Sequence, residues 1–305
     1  MQKLLEEVYE QSLFACNMGK IATYIPALAL ADQNDLGIAI VDKEGQVFKT
    51  GLFDKRFSIQ SISKVLALAY VMDDQGESVI FSRVGKEPTG DPFNSLIRLE
   101  TSASHKPFNP LINAGAIVVS GLMRGNKPEE KIALFAKFVE KLVGRDSVNR
   151  NNEVYHSEKD TAARNRSIAW FLKEMDILPG EVEETLDVYF SQCAFSLDAL
   201  DLAKVAIILA MDGFDPIRKE QILKPRIAHV CKSLMVTCGM YDGSGEFAVD
   251  VGIPAKSGVG GGIMAAVRDR MGIGVYGPAL DEKGNSKAGL EVMSRLSERL
   301  DLRVL

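Results

Sequence analysis

Ser61-Ile62-Ser63-Lys64 stands at the head of an apolar helical run made of Val65, Leu66, Leu68, Ala69 and Met72. A hydroxyl and an amine three residues apart on a helix share one face, with Cβ atoms roughly 5–6 Å apart. The first turn of a helix carries partial positive charge and unpaired N–H groups. An ammonium held there and shielded from water tends to lose its proton. A neutral lysine beside a serine is a nucleophile with its base, and the chemistry open to that pair is acyl transfer. S-x-x-K alone is weak, since about one chance match is expected in a chain with this much serine and lysine.

A second pattern lies far downstream, where Lys256-Ser257-Gly258-Val259 is followed by Gly260-Gly261-Gly262. S-x-x-K early and K-[ST]-G late together mark the serine β-lactamase and penicillin-binding class. There the K-[ST]-G strand flanks the nucleophile, and a small third residue lets substrate approach. The next backbone N–H, here that of Val259, joins the serine's own N–H as an oxyanion hole. Lys49-Thr50-Gly51 matches K-T-G more literally, but it precedes the serine and ends a hairpin strand, so it reads as a turn. The glycine run fails G-x-G-x-x-G because Ile263 holds the last position, and it leads into a strand, which fits a bulge or close backbone approach better. A clean S-D-N or Y-x-N between the motifs is missing; Ser147-Val148-Asn149, in a polar turn, comes nearest.

The elements that must position these residues follow from periodicity and punctuation. Residues 3–16 read as an amphipathic helix, and 36–41 and 46–49 as strands joined at Asp42-Lys43-Glu44-Gly45. The Ser61 helix runs to about Asp73, and the polar stretch from Lys86 to Pro110 reads as surface loop. Helical patterns fill 111–124, 127–144, 156–174, 182–192, 197–212 and 226–240; strand patterns return at 247–252, 261–267 and 271–276, before a last helix over 290–300. The two groups of strands can share a sheet only if the chain returns to its start. The expected fold is therefore α/β (α+β), an antiparallel sheet flanked by N- and C-terminal helices with an inserted all-helical domain. The expected division is 1–75 with 240–305 as the sheet domain, and 76–239 as the mainly helical one.

Composition narrows the function classes. The 305 residues are 46% hydrophobic and 25% charged, with net charge −5, so no basic excess exists to neutralise nucleic-acid phosphates. No apolar run approaches the roughly 20 residues of a membrane span. The acidic, amphipathic start is not a secretory signal. Cys16, Cys193, Cys231 and Cys238 form no C-x-x-C pair and point to reduced, cytoplasmic thiols, with Cys231 and Cys238 expected as buried apolar groups. His105, His156 and His229 are scattered, so neither a metal nor another cofactor is expected.

Between the two motifs the chain carries Asn109-Pro110-Leu111-Ile112-Asn113-Ala114-Gly115-Ala116, Ser157-Glu158 with Arg164-Asn165, Tyr189-Phe190 and Cys238-Gly239-Met240-Tyr241-Asp242. With Gln60-Ser61-Ile62-Ser63-Lys64 and Pro254-Ala255-Lys256-Ser257-Gly258-Val259, these resemble the serine-dependent glutaminase family, in order and with compatible spacing over about residues 5 to 285. Glu87-Pro88-Thr89-Gly90 has threonine where that family often has serine. The resemblance implies a β-lactamase/transpeptidase-like fold, hydrolysis of L-glutamine to L-glutamate and ammonia without a cofactor, and a homo-oligomer, dimer or tetramer. Carried over by motif, Ser61 resembles the nucleophile and Lys64 its base. Tyr24, Asn113, Glu158, Asn165, Tyr189 and Tyr241 resemble substrate-contacting residues, and Val259 the oxyanion-hole residue.

The residue types suit that substrate. A buried ammonium needs an anionic partner, and Glu158 is the one acid in the set. Asparagine and tyrosine can donate to an α-carboxylate without adding a full charge. Either Tyr241 or Tyr189 would serve as the acid that protonates the departing ammonia. Taken singly, Glu158 fits a solvated helix face, Asn113 a helix cap, and the tyrosines core aromatics. Two other readings share the S-x-x-K pair: a β-lactamase- or carboxypeptidase-like acyl-serine hydrolase, and a catalytically silent ligand-binding module.

Overall fold

A continuous apolar run in the first strand and glycine-punctuated apolar runs near the C-terminus build one antiparallel sheet. The computed structural model of the protein describes residues 1–89, 97–101 and 104–303. The sheet strands are β1 (Gly37–Asp42), β2 (Val47–Gly51), β3 (Ala255–Gly258), β4 (Gly262–Val267) and β5 (Met271–Tyr276). Their spatial order is β2-β1-β5-β4-β3. The chain does return to its start: Ile38 lies opposite Val275 and Ile40 opposite Ile273, so β1 zips directly onto β5. β3 and β2 therefore form opposite edges of one sheet.

Period-two alternation sends the two sides of each strand into different cores. Ile38, Ile40, Ile263, Ala265, Ile273 and Val275 pack with Leu5 and Val8 of α1 (Gln2–Ser12) and with Val292, Met293 and Leu296 of a C-terminal helix, Lys287–Leu300. Ala39, Val41, Met264 and Ala266 face the larger core instead. Helix Ala199–Ala210 covers that side, packing on β1, β4 and β5. An Asp198–Asp201 capping box starts it, and Arg145 bonds both carboxylates. No helix among the described residues is long and apolar enough to cross a membrane.

The nucleophile helix, α2 (Ser63–Gln75), is buried continuously from Ser63 to Met72 and packs against α3 (Asn113–Leu122) and Pro225–Cys238. A helix apolar on every side belongs in the middle of a core. A tight 3₁₀ turn, Gln60–Ile62, precedes it, so Ser61 lies just before the α-helix and Lys64 in its first turn. Three residues per turn bring positions i and i+3 into line, which keeps the two side chains on one face.

Four expectations change. Residues 247–252 are not a strand: Ser244–Asp250 is helical, because Phe247 and Val251 point to the core four residues apart while Val249 is exposed. The pattern read as one helix over 156–174 is two, α4 (Asn152–Asp160) and α5 (Ala163–Glu174), with Asn151 capping the first by accepting from the Val154 N–H. Cys238 is only partly buried, whereas Cys231 is fully so. Of the expected 86–110 loop, residues 90–96 and 102–103 lie outside the described residues, and Ile97–Thr101 is a short helix.

Candidate active site

Six segments distant in sequence converge on one cavity of about 290 Å³ lined by Tyr24, Ile25, Gln60, Ser61, Asn113, Glu158, Thr161, Ala162, Arg164, Asn165, Tyr189, Cys193 and Val259. Seven of the nine residues singled out from the sequence line it directly. The other two, Lys64 and Tyr241, stand behind its wall.

Lys64 is buried. Its Nζ donates to Asn113 Oδ1 at 2.6 Å and to the Leu111 carbonyl at 3.3 Å. Asn113 Nδ2 in turn donates to Asn165 Oδ1 at 2.9 Å, which links the lysine to the cavity rim through two amides. Asn113 is the first residue of α3, but its side chain is spent on this chain and caps nothing. Burial pulls Lys64 down to about 8, against the opposing pull of Cys193 and Glu158. A lysine in that range is half neutral near pH 8 and so can accept a proton.

Glu158 answers it from the far side. Burial raises its carboxyl to about 7, although a hydrogen bond from Gln60 and the charge of Lys64 both favour the ionised form. Its Oε2 has no hydrogen-bond partner among the described residues. A buried carboxylate oxygen left open costs free energy unless a cationic donor completes it. The interruption between α4 and α5 explains how Glu158 and Asn165 reach one cavity: both helices end there, and the break lets each contribute a side chain.

Tyr241 is buried in a left-handed backbone conformation, φ +53°, at the turn after Pro225–Cys238. Burial pushes its hydroxyl upward, while hydrogen bonds from the Ser61 side chain and the Val259 backbone draw it down less strongly. It therefore stays a protonated phenol directly beside Ser61. Tyr189 is also buried, and its hydroxyl is raised by burial and by Cys193, to which it hydrogen-bonds. Tyr24 differs, being 57% exposed at the mouth. Its segment is held by the Lys20–Leu280 backbone bridge and by the Ala27 N–H donating to Ser157 Oγ at 3.2 Å.

Six of the lining residues carry no role in the sequence reading, and two of them, Gln60 and Cys193, interact directly with residues that do. Gln60 has φ +47°, unusual for a non-glycine residue, and it ties the turn holding Ser61 to Glu158. Cys193 follows Tyr189 by four residues on one helix, a spacing that places both on the same face. Helical periodicity would have found Cys193; no local signal distinguishes Gln60 from any polar neighbour of a serine. The arrangement as a whole offers a hydroxyl nucleophile, a depressed lysine, a protonated phenol and an open carboxylate in one concave site.

Comparison with known proteins agrees with this chemistry. The sequence profile of the family described as Glutaminase matches residues 19–305. The chain is 50% identical over 304 residues to "Glutaminase 2" of Clostridium perfringens, covering 100% of both chains. It is 48% identical over 297 residues to a glutaminase of Bacillus mycoides, covering 97% of this chain and 95% of that one. Among solved structures, the covalent complex between a Bacillus subtilis glutaminase and 5-oxo-L-norleucine superposes with a TM-score of 0.91 at 38% identity, covering 100% of this chain and 99% of the other. On the strength of a match spanning nearly its whole length, this chain belongs to the glutaminase family.

Proposed function

We propose that this cavity hydrolyses L-glutamine to L-glutamate and ammonia through a γ-glutamyl ester on Ser61. The observation that carries the reading is the open Oε2 of buried Glu158, facing the cavity that also holds the Ser61 hydroxyl. A substrate ammonium completes that carboxylate and aligns the side-chain amide with the serine. Asn113, Asn165 and Tyr24 are polar, uncharged donors suited to the α-carboxylate. The Bacillus subtilis relative reacts with 6-diazo-5-oxo-L-norleucine to give a covalent adduct, which supports a nucleophile in the shared site.

Neutral Lys64 takes the Ser61 proton as Oγ attacks the amide carbon. The backbone N–H groups of Ser61 and Val259 hold the developing oxyanion. Tyr241, hydrogen-bonded to Ser61, is better placed than Tyr189 to protonate the departing ammonia. The Lys64 ammonium gives its proton back to Tyr241, and neutral Lys64 then takes a proton from the water that attacks the ester, returning it to Ser61 Oγ as glutamate leaves. The site residues come from both 1–75 with 240–305 and 76–239, and we read the cavity as the seam between a sheet unit and a helical unit. Four free thiols, three of them buried, support a cytoplasmic setting, and the family resemblance supports a dimer or tetramer.

Ammonia release from glutamine and asparagine, with the colour change of a chromogenic β-lactam, tests the reading against its rivals. Glutamine turnover is expected, with Ser61→Ala lowering it about 10⁴-fold or more at unchanged melting temperature. Turnover of the lactam in its place, or of none of the three, overturns it. Glu158→Gln should cost about 3–5 kcal/mol in kcat/KM for glutamine and much less for an analogue lacking the α-amino group; equal losses on both substrates remove Glu158 from ammonium recognition.

A further inference from the structure

Lys256 is a second fully buried lysine, and the mechanism above makes no use of it. It sits on β3 with 0% exposure. Its Nζ donates to the Ser257 carbonyl at 2.6 Å and to the Gly239 carbonyl at 3.0 Å, and lies 4.4 Å from the centroid of the Tyr241 ring. No carboxylate pairs with it among the described residues. Burying an amine without an anionic partner is costly, so the position is expected to give something in return.

What it touches is the segment that aims Tyr241. That residue holds φ +53°, which is strained for a bulky side chain and persists only where the surroundings over-determine it. The Ser257 N–H donates to the same Gly239 carbonyl at 3.1 Å, two residues before Tyr241. Behind it, Ser244 Oγ accepts from the Met240 N–H and donates to the Tyr241 carbonyl, at 3.0 and 2.8 Å. These contacts fix the backbone of the turn. Lys256 reaches both that backbone and the face of the ring.

We propose that Lys256 is a positioning residue: it fastens the Gly239 carbonyl to β3 and seats the Tyr241 ring so that the phenol stays over Ser61. The proposal rests on the reading of Tyr241 as the acid for the departing ammonia. Lys256 makes no contact with the cavity and is not itself catalytic. Its removal should therefore slow the chemical step while leaving glutamine binding nearly intact.

The test is a double-mutant cycle of Lys256→Met and Tyr241→Phe, with kcat and KM for glutamine measured separately. Lys256→Met keeps the side-chain volume but removes the amine. It should lower kcat about 10²-fold with KM within about threefold of wild type, and it should cost little further in the Tyr241→Phe background. Should Lys256→Met fail to melt cooperatively, Lys256→Gln is measured with the same expectation. If Tyr241→Phe is impaired while Lys256→Met is not, or if the two losses multiply, the inference about Lys256 fails and the reading of Tyr241 stands. If Tyr241→Phe alone keeps wild-type kcat, the reading of Tyr241 fails and takes this inference with it.

Discussion

Lys49-Thr50-Gly51 and Lys256-Ser257-Gly258 are nearly the same tripeptide, and they occupy the two opposite edges of one sheet. On β2 the pattern is exposed and half-buried in alternation, as an edge strand with one wet face should be. Its outer edge is closed by Gln2 of α1, whose side chain bonds the Lys49 carbonyl and N–H at 2.9 and 3.3 Å. On β3 all four residues are buried, the Ser257 N–H bonds outward to the Gly239 carbonyl at 3.1 Å, and the turn that carries Ser61 packs against the strand. One lysine rests over Phe53 in reach of water, and the other is sealed beneath Tyr241. The difference teaches that a lysine-hydroxyl-glycine strand acquires chemical meaning from what closes its edge. Beside a surface helix it is a strand end; beside a serine turn it becomes a wall of a reaction site.

Altering the buried edge should have the largest effect. A Cβ placed on Gly258 would lie 2.4 Å from the Ile59 carbonyl, which is backbone and cannot yield cheaply. Gly258→Ala should push β3 away from the serine turn and displace the Val259 N–H. Loss of one oxyanion donor costs about 10²–10³ in turnover. Measured ammonia release near wild type would mean that this strand does not line the reacting centre.

The pH dependence sharpens the contrast between a buried site and an exposed edge. As the proposed base, Lys64 would act only when neutral, above about 8. As the proposed partner of the substrate ammonium, Glu158 would act only when ionised, above about 7. The shifts are opposite, one lowered and one raised, but both groups are needed in their deprotonated form, so kcat/KM should climb as pH rises through that interval and level off above it. In Glu158→Gln the component near 7 should vanish while the one near 8 remains. A profile that falls across this interval would contradict both assignments.

The smallest effect is expected at the other edge. Thr50 pairs with Ile38 across the ladder and lies nowhere near the cavity. Thr50→Ala should leave turnover at the wild-type level and cost at most about 1 kcal/mol in thermal stability, the span of strand propensity. An inactive Thr50→Ala beside an active Gly258→Ala would reverse the comparison.

Much of this molecule is legible without coordinates. Apolar runs and turn signals located β1, β2, β4 and β5 within a residue or two, because strands buried on both faces read as short continuous apolar stretches and the half-exposed edge strand β2 follows a hairpin turn. The S-x-x-K and K-S-G pair and the resemblance carried by the intervening motifs singled out nine residues, seven of which line one cavity. Local patterns failed where burial set the outcome. Phe247, Val249 and Val251 alternate like a strand, yet a helix forms because only the first and last reach the core.

Other features were decided by tertiary structure alone. Ser61 and Gln60 are neighbours in any conformation, but only the closed fold hangs Glu158 from Gln60 and leaves its second oxygen open. Which tyrosine borders the serine depends on the left-handed turn at Tyr241, and that turn is held by β3. The depressed Lys64 and raised Glu158 likewise come from exclusion of water, a property of the assembled core that no residue type carries by itself. Side-chain identity is local, and so the order of motifs determined what chemistry this chain can perform. Dielectric, distance and the choice between two matching strands are collective, and they exist only once the two ends of the chain have closed into one sheet.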